Sequence, residues 1–425
     1  MNIFDQLLAD NEIPKFVRVR HEMDGSHIED IPAAVAQAMK REGTLDRIKP
    51  GDTVCITAGS RDVANIAKVI RTICDEVKAV GGKPFIIPAM GSHAGAQADG
   101  QRRIIEGYGV TEEAMGAPIM ASMETEVIAY SEDGLEIHLD KFANSADFLI
   151  PVGRIKAHTD FRGDVESGIC KMIVIGMGKQ HGAYQCHKLG FKNMARNVKA
   201  FASAIIEKKP NMFAIGLVEN AYHQTCRIEA IPADRILEEE PPLLEYAKMR
   251  MARIPFDQAD ILFVSETGKD ISGAGMDPNV TGRSPILGIS RPFFQRIAVF
   301  DLTEASHGNF GGLGSADVTT QRVYGKIDFE QTYPNGITAA DPLAVKLPVI
   351  MPSDRTAMQL ALRTATDCDW KTGPRIVWLK NTLSLSEFYI SEALIPDAQK
   401  LGNVTVVSEP LEVVFDEDGN FKEMA

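Results

Sequence analysis

The segment from Arg154 to His187 gathers side chains that could perform covalent or metal chemistry. It contains three histidines, three lysines and two cysteines around an apolar run, with glycines on either side. A neutral imidazole is a common ligand for nickel, zinc and copper. A partly desolvated lysine amine is more readily uncharged and nucleophilic. The segment is therefore the first place to look for a functional site.

Lys171 directly precedes the apolar run MIVIGMG, which predicts a buried strand. At the edge of such a strand the amine would be partly desolvated and could form a covalent bond to a carbonyl or an activated acyl group. A lysine whose ammonium group reaches water is the alternative. Lys171 is a candidate nucleophile on this basis.

His187 closes the run KQHGAYQCH beside Cys186 and is a candidate metal ligand. No CxxC pair or HExxH motif accompanies it, so the spacing does not predict a zinc site. The preceding turn GMGKQHG contains Gly176 and Gly178 and could offer backbone amides to a phosphate. It matches a P-loop or a dinucleotide fingerprint only in part.

Two more histidines follow predicted strands. His93 lies in MGSHAG after KPFIIP, and His158 lies in KAHTDF after FLIPVGR. Ligands of open parallel sheets bind outside the carboxyl ends of the strands, so both imidazoles should face one cleft. There they could exchange protons on opposite faces of a substrate, as a racemase or epimerase requires. A histidine that caps the next helix is the alternative for His93.

Arg61 follows the first predicted strand of this sheet, in AGSRD. A guanidinium group can hold a carboxylate by a two-point fork, which would suit an anionic substrate. A salt bridge to a neighbouring acid such as Asp62 is the alternative.

Strands and helices alternate along the chain, which predicts an α/β fold with mainly parallel sheets. The predicted strands are TVCITAG, KPFIIPAMG, ADFLIPVGRIK, MIVIGMG, NMFAIGLVEN, ADILFV, QRIAVFDLT and PRIVWLKN. The predicted helices are VANIAKVIRTICDEVKAVG, FKNMARNVKAFASAIIEKK and TAMQLALRTA. An acidic, proline-bearing stretch near residues 236–260 predicts a helical connector between two α/β domains, 1–255 and 256–425, with the active site in the cleft between them.

Composition excludes several classes of function. The chain has 425 residues and a formal net charge of −13 without a dense basic run, which disfavours nucleic acids and anionic membranes as partners. The six cysteines are scattered, which fits free thiols in a reducing compartment. No apolar stretch is long enough for a membrane helix and no secretory signal is evident, so we expect a cytoplasmic protein.

In their order and spacing these motifs resemble the nickel-pincer-nucleotide-dependent lactate racemase family. The resemblance extends over essentially the whole chain and includes the spacing between Lys171 and His187. It rests on TAGSR, GSHAG, GRIKAHTDF, ESGICKMIVIGMG and QCH.

The resemblance implies a role for each residue of these motifs. Lys171 would carry a pyridinium mononucleotide through a thioamide bond, and His187 would be the protein ligand of the nickel that the nucleotide holds. Gly176 and Gly178 would lie near the phosphate. His93 and His158 would exchange the hydroxyl proton while hydride leaves and returns to the α-carbon, and Arg61 would orient the substrate. The cofactor would require its synthesis enzymes and could be absent from protein made in a foreign host.

The loop 266–283 departs from the family pattern. Asp270 fits the family, but the tyrosine, glutamine and lysine expected after it are absent, and Lys269, Asn279 or Arg283 could take their place. The segment between His158 and Lys171 is also longer than is usual for the family. A larger or more polar 2-hydroxy acid, or a sugar acid, therefore fits as well as lactate.

Two other kinds of function stay open from the sequence. One is a dehydrogenase or metal-dependent lyase with a freely bound metal or NAD. The other is a non-catalytic protein that binds a nucleotide or hydroxy acid. The sequence does not indicate the oligomeric state.

Overall fold

The computed structural model describes residues 3–60, 63–284, 287–289, 291–339 and 342–425. The chain forms two compact units. The central unit is Asp24–Met251, and the terminal unit combines Met1–Met23 with Ala252–Ala425. Strands and helices are mixed in both and most sheet pairings are parallel, so the predicted α/β class is confirmed.

The strands, in chain order, are β1 (Phe16–His21), β2 (Thr53–Ala58), β3 (Lys83–Pro88), β4 (Thr125–Tyr130), β5 (Glu136–Asp140), β6 (Phe148–Ile150), β7 (Val152–Arg154), β8 (Phe213–Glu219), β9 (Thr225–Pro232), β10 (Gln258–Val264), β11 (Phe293–Val299), β12 (Val318–Thr320), β13 (Val349–Met351), β14 (Ile376–Leu379), β15 (Glu387–Ser391), β16 (Val404–Val406), β17 (Val413–Phe415) and β18 (Phe421–Met424).

The α-helices are α1 (Ile3–Leu8), α2 (Ile31–Ala38), α3 (Ile66–Ala79), α4 (Ala98–Gly107), α5 (Glu112–Met115), α6 (Lys141–Ser145), α7 (Ile169–Lys171), α8 (Lys179–His187), α9 (Met194–Lys208), α10 (Ile236–Arg250), α11 (Pro278–Thr281), α12 (Gln321–Lys326), α13 (Phe329–Ala339), α14 (Asp354–Thr364) and α15 (Ile395–Ala398).

The central unit contains two three-stranded sheets, one parallel and one mixed. One has the order β3-β2-β6, and the other pairs β7 with β8 in parallel and β8 with β9 antiparallel. Pro151 lies between β6 and β7, and the Thr57 hydroxyl accepts the N–H of Val152 at 2.8 Å. Since β2, β3 and β6 run in one direction, the loops after β2 and β3 leave the same edge of their sheet.

The prediction that MIVIGMG forms a strand is wrong. Residues Met172–Gly176 form a π-helical turn that continues α7, and α8 follows shortly afterwards. A short, uninterrupted apolar run has no alternation of apolar and polar residues. Its sequence therefore cannot distinguish a buried strand from a buried helical turn. Lys171 is therefore the last residue of a helical turn rather than the neighbour of a strand.

The stretch near residues 236–260 contains the passage from the central unit to the terminal unit. Its helix, α10, belongs to the central unit, and the chain passes to the terminal unit after Met251. The acidic, proline-bearing sequence predicts a helical connector, and Glu240 on this helix is completely buried.

The terminal unit contains an eight-stranded sheet of order β13-β12-β11-β10-β14-β15-β1-β16. The pairings from β13 to β14 are parallel, and those from β14 to β16 are antiparallel. Because β1 pairs with β15 and β16, the structure groups Met1–Met23 with the C-terminal part of the chain, whereas the sequence analysis had placed them with residues up to 255.

Two general expectations can be compared with the described residues. All six cysteines are free thiols, as predicted. None of the helices in the described ranges is both long and apolar enough to cross a membrane.

A fully buried ion pair lies at the start of α8. Lys179 and Asp140 have no exposed side-chain surface, and their Nζ and Oδ2 atoms are 3.3 Å apart. Burial lowers the pKa of Lys179 and raises that of Asp140, and each partner opposes the shift of the other. Asp140 also accepts the N–H groups of Phe142 and Ala143 at the start of α6. The pair thus joins the beginnings of two helices.

We expect Lys179→Met to destabilise the central unit by about 3–5 kcal/mol, because it leaves a buried carboxylate without its cation. Adding Asp140→Asn should recover part of this loss, since the amide oxygen can still accept the helix N–H groups. Denaturant unfolding measures both changes. The control Lys199→Met removes an exposed pair with Asp164 and should cost less than about 1 kcal/mol. Equal effects of Lys179→Met and Lys199→Met would contradict the role of the buried pair.

Candidate active site

His93 lies in the loop between β3 and α4. Its Nδ1 is 2.6 Å from the hydroxyl of Ser60, which follows β2. Gln101 of α4 donates its amide N–H groups to the carbonyl oxygens of Gly91 and His93, at 2.8 and 3.2 Å. Hydrogen bonds from two neighbouring elements thus hold the His93 loop, and Ser60 fixes the orientation of the imidazole.

The loops after β2 and β3 both approach the helical turn that carries Lys171. A Cβ atom at Gly59 would lie 3.0 Å from Met172, and one at Gly91 would lie 3.1 Å from Ile175. Gly91 also has a positive φ of 61°, which favours glycine. Both the backbone conformation and the nearby Ile175 therefore favour glycine at this position. The small residues bring the His93 loop against the Lys171 segment.

His158 is 9% exposed and lies beyond the end of β7. Its Nδ1 accepts the backbone N–H of Asp160 at 2.9 Å, and its ring packs on Phe161 with a centroid separation of 4.2 Å. The backbone N–H of His158 donates to the buried carboxylate of Glu166 at 2.7 Å. Both the ring and the backbone of this residue are therefore fixed.

The shortest contact among these candidate residues joins Lys171 and His158. Their Nζ and Nε2 atoms are 2.5 Å apart, although 13 positions separate the residues. Because Nδ1 of His158 accepts a hydrogen bond, Nε2 is the nitrogen that shares its proton with the amine in the neutral tautomer. The lysine amine and the imidazole are therefore direct hydrogen-bond partners.

His187 has the tautomer that a metal ligand needs. Its Nδ1 lies 2.6 Å from the carbonyl oxygen of Ala183, to which it donates, so the lone pair is on Nε2. Burial, with a smaller contribution from the Lys171 charge, lowers the pKa of His187, whereas the Ala183 carbonyl and Asp160 act in the opposite direction. A neutral imidazole with one committed nitrogen is suited to coordinate a metal.

Cys186, beside His187, is a buried thiol. Burial raises the pKa of its thiol to about 12, with Lys171 acting weakly in the opposite direction. The thiol is therefore protonated at neutral pH. Within the described ranges no group of three or more His, Cys, Asp or Glu side chains is arranged to hold a metal ion.

Gly176 and Gly178 are explained by packing. A Cβ atom at Gly176 would lie 2.6 Å from the sulfur of Met172, and one at Gly178 would lie 2.2 Å from the carbonyl oxygen of Val174. These close approaches require glycine whether or not a phosphate binds nearby. The cofactor role of both residues stays a prediction.

Arg61 lies outside the described residues, so its predicted role stays a prediction. Another ion pair stands at the carboxyl ends of β7 and β8, where Arg154 donates to Glu219 at 2.7 Å. Glu219 also accepts the N–H of Ala64 at 2.8 Å. This pair is not predictable from the sequence, because local patterns do not indicate that β7 and β8 are neighbours in one sheet.

Lys269 and Asp270 follow β10 in the terminal unit. The Lys269 amine donates to the carbonyl oxygen of Gly273 at 2.6 Å, and Asp270 accepts the hydroxyl of Thr303 at 2.5 Å. In the sheet, β11, β12 and β13 lie on one side of β10, and β14 lies on its other side. The strand order therefore changes direction at β10, and Lys269 and Asp270 follow the carboxyl end of this strand.

Arg283 is separated from Lys269 and Asp270. Its guanidinium pairs with Asp317 and donates to the carbonyl oxygen of Phe294 at 2.7 Å, near the beginning of β11. This is the opposite end of the strands from Lys269. Asn279 donates to Asp277 at the start of α11. The structure thus does not bring the four candidates of this loop together.

The pKa of His187 provides a test of its burial. In the folded protein this pKa lies below the ordinary 6.5. At pH values between the folded-state pKa of His187 and 6.5, the unfolded chain binds more protons than the folded protein. The free energy of unfolding therefore falls as the pH drops through 6.5 towards the folded-state pKa. We expect His187→Asn to reduce this loss, as measured by denaturant unfolding at several pH values. A ring titration of His187 at or above pH 6.5 would contradict the assignment.

Comparison with known proteins agrees with the resemblance seen in the sequence. Residues 5–198 match a family model described as the lactate racemase N-terminal domain. The fold is similar to a solved structure described as the lactate racemase apoprotein from Thermoanaerobacterium thermosaccharolyticum, with a TM-score of 0.53 and 14% identity. The match covers 87% of this chain and 99% of that chain. A search of curated proteins gave no match. Residues 5–198 therefore carry the lactate racemase N-terminal domain, and the fold of the chain is similar to that of the lactate racemase apoprotein.

Proposed function

We propose that this protein is a racemase or epimerase of a 2-hydroxy acid that uses a nickel-pincer nucleotide attached to Lys171. The observation that carries the proposal is the 2.5 Å contact between the Lys171 amine and the His158 imidazole. Both residues lie in the part of the chain that matches the lactate racemase domain. A tethering lysine and an acid–base histidine would have to be neighbours in such a site.

The residues of the central unit fit the cofactor. Lys171 is the attachment point, and His187 offers Nε2 to the nickel because Nδ1 is held by the Ala183 carbonyl. When bound, the nucleotide supplies an acceptor for the hydride of the substrate's α-carbon. The proteins that make this nucleotide are the partners that maturation requires.

His93 and His158 are the proposed proton-exchange groups. With Nδ1 of His93 bonded to Ser60, its Nε2 is the atom that takes the hydroxyl proton from one enantiomer. His158 is the proposed group that returns a proton when the opposite face of the planar keto acid is reduced. The two roles exchange for the other enantiomer.

The terminal unit supplies the candidate substrate residues. Lys269 and Asp270 remain proposed contacts because they follow β10 where the strand order reverses. A role for Arg283 would require breaking its ion pair with Asp317. Polar residues in this loop favour a substrate with more polar groups than lactate.

Covalent attachment is tested by peptide mass spectrometry and nickel analysis of protein co-produced with the cofactor-synthesis enzymes. We expect a nucleotide-sized adduct on the Lys171 peptide and near-stoichiometric nickel. Lys171→Ala should lose the adduct, and His187→Ala should keep it with less nickel. The control Lys199→Ala, at an exposed lysine of α9, should resemble the unchanged protein. Full nickel in both site variants would contradict the proposal.

The acid–base roles are tested with a panel of chiral 2-hydroxy acids. We expect His93→Ala and His158→Ala each to lower kcat by at least about 100-fold, because proton exchange contributes roughly 10²–10⁴-fold to catalysis. His93→Ala should retain the adduct on Lys171. The exposed residue His181 on α8 provides the control His181→Ala, which should keep kcat. Unchanged racemisation in either site variant would remove that histidine from the mechanism. A bound ligand whose stereocentre never changes would favour a binding protein instead.

A further inference from the structure

Helix α10 reaches the candidate site through two separate contacts. Glu240, in its second turn, contacts the start of the helical turn that carries Lys171. Lys248, on the same helix, contacts the carboxylate that holds the His158 backbone. Eight residues of helix span about 12 Å, so the two contacts are about two turns apart. One rigid element thus touches the supports of both members of the Lys171–His158 contact.

Glu240 acts as an N-cap supplied by another helix. Its side chain is fully buried, and Oε2 accepts the N–H of Cys170 at 2.8 Å. Burial raises the pKa of Glu240, while the N–H groups of Cys170 and Ile169 and the Cys170 thiol stabilise the ionised form. The first N–H groups of a helix have no partner within the helix and attract negative charge. The carboxylate therefore fixes the turn immediately before Lys171.

Gly168 makes room for this carboxylate. A Cβ atom at Gly168 would lie 2.0 Å from Oε1 of Glu240, closer than any real contact. Oε1 is buried without a hydrogen-bond partner. The space left by the glycine hydrogen thus accommodates a buried carboxylate oxygen at the start of the Lys171 turn.

A second buried carboxylate links α10 to His158. Oε2 of Glu166 accepts the backbone N–H of His158 at 2.7 Å, and its Oε1 lies 3.0 Å from the Lys248 amine. The Glu166 side chain has no exposed surface, whereas Lys248 is 22% exposed. The Lys248 ammonium group thus pairs with the same carboxylate that accepts the His158 backbone N–H.

We propose that Glu240 and Lys248 are positioning residues and that α10 sets the distance between the Lys171 amine and the His158 imidazole. Glu240 fixes the amine through the start of its helix, and Lys248 fixes the imidazole through Glu166. This inference deepens the proposed function and rests on it for its catalytic meaning. The geometry itself can be measured in cofactor-free protein.

The test uses NMR of protein labelled with ¹⁵N in its histidine side chains, without cofactor. The Nε2 resonance of His158 is assigned by its loss in His158→Asn. Lys171→Met then defines the position of this resonance when the amine contact is absent. We expect Glu240→Leu and Lys248→Met to move the resonance towards that position, while Glu240→Gln, which keeps a carbonyl acceptor, should restore most of the native position.

The control is Glu238→Gln on the same helix, where an exposed glutamate pairs with Arg235. It should leave the resonance unchanged. If Glu240→Leu does not fold, Gly168→Ala replaces it, because the added methyl group must displace the carboxylate. A purely structural role for Glu240 would lower the unfolding midpoint and leave the resonance in place in the folded protein.

The outcomes separate this inference from the proposed function. If Lys171→Met does not move the His158 resonance, the amine–imidazole contact is absent and the observation behind the proposed function fails. If Lys171→Met moves it but neither α10 substitution does, the contact exists and the role of α10 is overturned. Movement in Lys171→Met, Glu240→Leu and Lys248→Met, with recovery in Glu240→Gln, supports both.

Discussion

The candidate site depends on one contact, between the Lys171 amine and the Nε2 atom of His158. Neither side chain could hold this position alone, because lysine has four rotatable bonds and His158 lies in a loop. The Lys171 backbone is held by the π-helical turn that follows it. The His158 ring is held by the Asp160 N–H on Nδ1, and the His158 backbone is held by the buried Glu166 carboxylate. The proposed tether and one proposed proton-exchange group are neighbours because several buried polar groups leave them little freedom.

Regular elements of the central unit were predictable from local patterns. Periodic apolar residues placed α3 within the predicted segment, and β-branched runs predicted β2 and β3. The same reasoning gave the wrong element for MIVIGMG. A segment that is apolar throughout has no hydrophobic periodicity that distinguishes a helix from a strand. The acidic stretch predicted a helix but not the burial of Glu240, whose carboxylate is compensated by the N–H groups of a distant helix. Such compensation has no sequence signature.

The residues of the site were predictable as types and motifs, but their mutual geometry was not. His158 and Lys171 were both singled out, yet their contact depends on where a loop and a helical turn meet. Ser60 and Glu166 were missed because a serine or glutamate near a motif is common, and only the structure shows what each one holds. In the terminal unit, Arg283 seemed to belong with Lys269 because they share a loop. Its guanidinium instead binds near the opposite end of the strands.

The most direct test of the proposed chemistry follows the hydrogen on the α-carbon. Cofactor-loaded protein is incubated in ordinary water with 2-hydroxy acids that carry deuterium at that carbon, and both stereochemistry and deuterium content are measured. The account predicts inversion with deuterium retained, because the hydrogen moves as hydride and returns to the same molecule. Inversion with loss of deuterium to water would contradict it, because a side-chain base would then have removed the hydrogen as a proton.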